Sequence, residues 1–154
     1  MCTVSVYFQA SLLIRGLNQI RQNNFDDKIW IYDLFNDGEQ AGEEQHNYGM
    51  LNSLIHKTPM SAKYSYLAAA NYNRLTSSAT KINEIKNQNF SYITCYKGGA
   101  DGRDTYMLWT AKESSKLYFN FGSNVRYYDL LGNEISKSEI TAGDGFMLRR
   151  AAFY

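Results

Sequence analysis

The chain has 154 residues and a mass of 17.7 kDa, enough for one domain of ordinary size or two small pieces. Its 16 Lys and Arg residues nearly balance 15 Asp and Glu residues, and a formal net charge of +1 lacks the basic excess typical of proteins that bind nucleic acid or membrane surfaces. A content of 44% hydrophobic and 20% charged residues is globular, and 2 cysteines cannot build a disulfide framework.

The beginning of the sequence has neither a leader nor an anchor pattern. Residues 1–6 carry no positive charge ahead of an apolar run, which a signal peptide requires. The apolar stretch Leu12–Ile14 meets Arg15 at once, far short of the roughly 18 apolar residues of a membrane span. We expect no membrane partner, and a cytoplasmic location if Met1 is the true start of the protein.

The first predicted elements are a helix and a buried strand. Apolar residues recur at helical spacing from Phe8 to Ile20, and residues 22–24, which favour caps and turns, predict the helix end. The run Lys28–Phe35 then has the length and composition of a strand, with apolar residues on both faces. Such a run is typical of a central strand in a parallel sheet covered by helices.

A second helix and a boundary follow. Thr58 is predicted as the N-cap and Pro59 as the first helical residue, with one apolar face continuing to Leu75. Residues 76–89 are rich in Ser, Thr, Lys and Asn and weakly patterned. They predict a division into residues 1–80 and residues 81–154.

The rest of the chain reads as short antiparallel strands separated by turns, which predicts a small β-sandwich. The predicted strands are residues 90–96, 105–111, 116–121, 125–130, 138–140 and 146–150. The order of elements leaves two architectures open. Residues 1–75 are either the end of a larger α/β array, or two helices that cover the downstream sheet in a compact α+β domain.

An acidic loop follows the predicted buried strand. No Lys or Arg occurs between Lys28 and Lys57, and both histidines of the protein, His46 and His56, fall in this interval. Carboxylates and a histidine at the carboxyl end of a buried strand are typical of α/β active sites, because neighbouring carboxylates raise one another's pKa. The alternative is a solvated acidic loop. The carboxylates are Asp33, Asp37, Glu39, Glu43 and Glu44.

No metal site or cofactor is predicted. If Asp33 were the first residue of an EF-hand loop, Phe35 would occupy the third ligand position, where it cannot ligate. The two cysteines and two histidines have no ligand spacing of a zinc site.

Four motifs in order resemble retaining glycoside hydrolases with a (β/α)8 barrel. They are Gln9-Ala10 opening a helix, Trp30-Ile31-Tyr32-Asp33-Leu34-Phe35-Asn36-Asp37-Gly38, Glu44-x-His46-Asn47-Tyr48-Gly49, and Lys57-x-Pro59 before a helix. In that family the corresponding sequence spans the seventh helix, the eighth strand with its active-site loop, and the eighth helix. The segment Tyr127-Tyr128-Asp129-Leu130-Leu131-Gly132-Asn133-Glu134 is similar to the β-sandwich that often follows these barrels.

The resemblance implies an α/β plus all-β fold: the last helix–strand–helix segment of a TIM-type barrel, followed by an accessory β-sandwich. It implies a carbohydrate substrate, cleaved by the intact enzyme through double displacement. Neither catalytic Glu of the family has a counterpart in residues 1–154, so no catalytic residue is assigned and the chain alone is expected to be inactive. The residues expected to line sugar subsites are Trp30, Tyr32, Asp33, Phe35, Asp37, Glu44 and His46.

Two alternatives remain open at this point. In the first, the β-sandwich is the binding domain of a non-enzymatic carbohydrate-binding or protein-interaction module. In the second, the acidic loop is the active-site loop of a small stand-alone hydrolase. The barrel interpretation further predicts self-association of the isolated chain, or an upstream chain segment as its partner, because a barrel end exposes strand edges and apolar faces.

Overall fold

A computed structural model describes residues 6–23, 29–31, 34–36, 49–52, 61–88, 91–112, 114–119, 121–142 and 145–149. Within these ranges the helices are α1 (Val6–Gln22), α2 (Tyr64–Thr76) and α3 (Lys137–Ile140), with a short 3-10 helix at Ala100–Gly102. The strands are β1 (Lys81–Gln88), β2 (Ser91–Lys97), β3 (Thr105–Thr110), β4 (Ser114–Leu117), β5 (Tyr127–Tyr128), β6 (Glu134–Ile135), β7 (Thr141–Ala142) and β8 (Gly145–Arg149).

The strands form small antiparallel sheets, so the mixed content of helices and antiparallel strands is confirmed. One sheet has the order β1-β2-β3, a second has the order β4-β8-β7, and β5 pairs with β6 alone. In the first sheet Ser91 lies opposite Gln88 on one side and Thr110 on the other, and Tyr96 lies opposite Ile82 and Thr105.

Successive side chains of a strand point to opposite sides, and β2 and β3 have buried side chains on both faces of the first sheet. On one face Tyr96, Met107 and Trp109 join Ala10 and Ile14 of α1 and Tyr72 and Leu75 of α2 in the larger hydrophobic cluster. On the other face Ile93 and Leu108 pack with Leu117 of β4 and Ile140 of α3. Both helices thus pack against the downstream sheet.

Helix α1 has the predicted extent but not the predicted buried face. Its fully buried positions include Ala10, Ile14 and Asn18, which are spaced four residues apart, whereas Leu12 is 44% exposed. Asn18 can be buried because its side chain is hydrogen-bonded on both sides, as described next.

A buried network of hydrogen bonds joins both helices to β2. The Tyr96 hydroxyl donates to Asn18 Oδ1 at 2.6 Å, and the Tyr72 and Tyr96 hydroxyl oxygens are 2.7 Å apart. Asn18 Nδ2 donates to Thr94 Oγ1 at 3.0 Å. The Arg21 guanidinium lies 5.6 Å from the Tyr72 ring and 5.3 Å from the Tyr96 ring. The network fixes how the helices sit on the sheet, since each buried polar group requires its partner.

Three predicted elements are corrected. Helix α2 begins at Tyr64, not Pro59, since residues 61–63 are extended and pair with residues 50–52. The predicted boundary within residues 76–89 contains strand β1. This strand is hydrogen-bonded to β2 and has no apolar pattern that would predict it from sequence. The predicted strand at residues 138–140 is instead part of helix α3.

The motif Tyr127–Glu134 forms the β5–β6 hairpin. Asp129 Oδ1 accepts hydrogen bonds from the backbone N–H groups of Leu131 at 2.9 Å and Asn133 at 2.8 Å. Gly132 has φ of +96°, a conformation that L side chains rarely adopt. The Asp and Gly of this motif are therefore explained by the geometry of one turn.

Candidate functional site

Only two of the predicted sugar-subsite residues are described by the structure. Trp30 is 88% exposed and Phe35 is also exposed, whereas the other five lie outside the described residues. Those five are Tyr32, Asp33, Asp37, Glu44 and His46. The predicted N-cap Thr58 lies outside the described residues as well.

The predicted strand at Lys28–Phe35 is not buried on both faces in its described part. Its large apolar side chains form a surface that we call the apolar strip. Phe35 makes an isolated bridge rather than belonging to a strand, so the prediction of a central buried strand is wrong for the described residues. The apolar strip consists of Ile29, Trp30, Ile31, Leu34 and Phe35.

The end of the strip is held by backbone pairing with Leu51, which pairs in turn with a later segment. Phe35 pairs in parallel with Leu51, and Leu51 pairs antiparallel with Ala62. The Leu51 N–H donates to the Leu34 carbonyl at 2.8 Å, and the Asn36 N–H donates to the Leu51 carbonyl at 3.0 Å. Parallel pairing requires a crossover connection of about a dozen residues or more, and the sequence between Asn36 and Gly49 has that length.

Gly49 permits this close approach. A Cβ atom at this position would overlap the Asn36 nitrogen and the Phe35 carbonyl carbon, and would lie 2.6 Å from the Phe35 oxygen. Only glycine therefore fits where residue 49 crosses residues 35 and 36.

A lysine and an asparagine, neither of them predicted, lie beside the strip. Lys63 Nζ donates to Asn36 Oδ1 at 2.6 Å, and Asn36 is 6% exposed. Burial lowers the pKa of Lys63. No sequence signal identified this contact, because the partners are separated by the whole acidic loop.

A separate cleft of about 480 Å³ lies at the end of the first sheet. It is formed where the last turn of α2, residues 100–106, and residues 121–128 meet. We call it the arginine cleft, because each of these three segments contributes an arginine to its lining. Its lining residues are Arg74, Leu75, Ala100, Asp101, Arg103, Asp104, Thr105, Tyr106, Leu108, Phe121, Asn124, Val125, Arg126, Tyr127 and Tyr128.

Tyr128 lies between two of the three arginines. The Arg74 guanidinium carbon is 5.4 Å from the centre of the Tyr128 ring, and Arg74 Nη2 donates to Asn71 Oδ1 at 2.8 Å. A hydrogen bond with the Tyr128 side chain and the charge of Glu134 raise the pKa of Arg126. Both arginines therefore interact with the same tyrosine.

The aromatic wall of the cleft is built by Tyr106, Phe121 and Tyr127. The Tyr106 and Phe121 rings are 5.1 Å apart in an edge-to-face arrangement. Burial raises the pKa of both Tyr106 and Tyr127, so both phenols are neutral near pH 7. The wall offers apolar surface and uncharged hydroxyl groups. None of these three side chains can act as a general base at neutral pH.

No protein-family model, curated protein or solved structure matches the chain. The described part of the chain contains no group of three or more His, Cys, Asp or Glu side chains that could hold a metal ion. Of the helices described, none is both long and apolar enough to cross a membrane.

Proposed function

We propose that this chain is the C-terminal part of a retaining (β/α)8-barrel glycoside hydrolase, contributing the last helix–strand–helix segment and an accessory β-sandwich. The observation that carries the proposal is the exposure of the apolar strip. Leu34 and Phe35 pair through their backbone with Leu51, while the large side chains Trp30 and Phe35 remain exposed. Exposed apolar surface of this kind is typical of an interface whose other side is missing.

The occupant of that interface is the remainder of the barrel. A barrel strand is covered by side chains of the barrel interior on one face and by helices on the other, so it needs apolar residues on both faces. The run from Ile29 to Phe35 meets this need without a polar alternation in its described residues. The ordered motifs of the acidic loop support the same assignment.

In the assembled enzyme this segment binds sugar and does not perform the bond cleavage. Tyr32, Asp33, Asp37, Glu44 and His46 hydrogen-bond to sugar hydroxyls, and Trp30 or Phe35 lies under a ring. Retaining cleavage requires two carboxyl groups about 5–5.5 Å apart across the scissile bond. The family resemblance assigns neither of them to residues 1–154.

Tryptophan fluorescence and turnover test this proposal together. Trp30 is 88% exposed and Trp109 is 5% exposed, so a Trp109→Phe variant reports on Trp30 alone. We expect that oligosaccharides perturb Trp30 emission and that the chain does not hydrolyse aryl glycosides. Turnover by residues 1–154 that is abolished in Glu44→Gln would contradict the proposal and favour the stand-alone hydrolase.

A non-enzymatic carbohydrate-binding module is the second candidate, and the arginine cleft favours it. The cleft lies wholly outside the segments that resemble the barrel strand and its loop. Deleting residues 1–80 cannot separate the two candidates, because Ile14 and Tyr72 belong to the core against the sheet. Substitutions can separate them. The module predicts saccharide binding that is lost in Arg126→Ala and retained in Trp30→Ala, whereas the barrel segment predicts the reverse.

A further inference from the structure

We propose that the arginine cleft binds an acidic saccharide, an oligouronide whose carboxylates pair with arginine side chains and whose rings pack on the tyrosines. The inference rests on the second candidate function and names its ligand class. A volume of about 480 Å³ lies within the range of small-molecule sites and leaves room for more than a single small anion.

The first argument is that three arginines from separate segments line one cleft. Arg74 comes from the last turn of α2, Arg103 follows the 3-10 helix, and Arg126 precedes β5. Like charges brought together by folding repel one another unless an anion lies among them. A guanidinium presents its N–H groups in a planar fork that matches a carboxylate, which makes arginine the preferred partner of such groups.

The second argument is the charge balance of the lining. Two carboxylates, Asp101 and Asp104, face the three arginines. Asp104 is already occupied, because it forms an ion pair with Lys97 and accepts a hydrogen bond from the Gly98 N–H at 3.3 Å. Its charge is therefore neutralised by a lysine outside the lining. The charges that act on Arg126 are those of Asp101 in the lining and Glu134 beside it, so three arginines face two carboxylates and the cleft retains a positive excess of one.

The third argument is the orientation of the arginines. Asn71 and Tyr128 hold Arg74, and Tyr128 also contacts Arg126. Groups that are held before the ligand arrives lose less conformational entropy on binding. The hydrogen bond from Arg74 to the neutral Asn71 amide leaves the guanidinium charge unbalanced at that contact.

The fourth argument separates a sugar acid from a simple anion. Tyr106, Phe121 and Tyr127 supply apolar faces and phenolic hydroxyls next to the guanidinium groups. An aromatic face packs against the C–H groups of a pyranose ring, and tyrosine hydroxyls exchange hydrogen bonds with sugar hydroxyls. An oligouronide uses both components of the wall, whereas a bare anion uses only the charge.

Calorimetric titration of the full chain tests this inference. The probes are trigalacturonate, which is α-linked, and trimannuronate, which is β-linked, each compared with its own methyl ester, which keeps the skeleton and removes the charge. We expect at least one acid to bind about tenfold or more tightly than its ester. We also expect binding to weaken on raising the salt concentration to about 0.5 M.

Variants localise the binding. Arg126→Ala is expected to weaken binding of that acid about tenfold or more, and Arg126→Lys to give an intermediate loss, because lysine keeps the charge but not the fork. Lys116→Ala removes one positive charge from an exposed position outside the cleft lining and is the matched control. It should leave the affinity within about twofold, and circular dichroism should be unchanged in all three variants.

The outcomes distinguish this inference from the functions on which it depends. Equal affinity for acid and ester would overturn the acidic preference while leaving a saccharide site in the cleft. Binding of neither acid would overturn the inference, and binding of neither the acids nor their esters would also remove the support that the cleft gives to the second candidate. Tighter binding of inorganic phosphate than of either acid would also overturn the inference. Loss of saccharide binding in Arg126→Ala would also favour the module over the barrel segment, whereas a failure of the acidic preference alone leaves the barrel segment untested.

Discussion

Removing the hydroxyl of Tyr96 should cost about 2–3 kcal/mol of unfolding free energy. Tyr96 is fully buried, and its hydroxyl donates to Asn18 Oδ1 at 2.6 Å and lies 2.7 Å from the Tyr72 hydroxyl oxygen. A net hydrogen bond contributes about 1 kcal/mol, and a buried group left without its partner costs about 1–3 kcal/mol. Tyr96→Phe removes two such contacts but keeps the ring that packs against Arg21.

Urea unfolding followed by circular dichroism measures this loss. Tyr118→Phe is the matched control, because Tyr118 is 56% exposed and its substitution should change stability by less than about 0.5 kcal/mol. A double-mutant cycle with Tyr72→Phe should give a coupling of about 1 kcal/mol, since the two hydroxyls are in contact. A loss below about 0.5 kcal/mol in Tyr96→Phe would refute the network as the link between helices and sheet.

Three further predictions concern other parts of the molecule. Gly49→Ala should break the two backbone hydrogen bonds between residues 34–36 and Leu51 and speed amide exchange there. The control is Gly16→Ala, which has nothing within 4 Å of the added Cβ and should stabilise α1 by about 0.5–1 kcal/mol. Equal effects of the two substitutions would contradict the close approach at residue 49. Trp30→Ser should reduce self-association measured by sedimentation velocity. An unchanged association constant would argue against the apolar strip as the surface through which copies of the chain associate. Burial raises the pKa of Tyr72 above 10.0, so the tyrosine ionises at a lower pH in the unfolded chain than in the folded one. Its contribution to stability should be full below about pH 10 and should fall as the pH rises toward the folded-state pKa. A free energy of unfolding in urea that is the same at about pH 11 as at about pH 8 would contradict this.

The sequence predicted those elements whose own residues favour them. Helix α1 and strands β2, β3 and β8 are found close to their predicted positions, because helical spacing or short apolar runs identify them locally. Helix α2 begins later than its Thr58–Pro59 signal indicates, since the backbone pairing of residues 61–63 outweighs local capping preference. Strand β1 was missed because its partner β2, and not its own composition, determines its conformation.

The candidate sites differ in how far sequence could predict them. The acidic loop is contiguous in the chain and could be recognised as a motif. The arginine cleft could not, because Arg74, Arg103 and Arg126 are brought together only by the packing of α2 against residues 100–106 and 121–128. The exposure of Trp30 also depends on neighbours rather than on the run itself, whose apolar composition alone predicts burial.

The intact mass of the native gene product, purified from its source cells, tests the central proposal most directly. The glycoside hydrolase proposal places residues 1–154 at the end of a complete barrel enzyme. It therefore predicts a mass several-fold above the 17.7 kDa of this chain. A native mass of 17.7 kDa would contradict the proposal and would leave the carbohydrate-binding module as the better account.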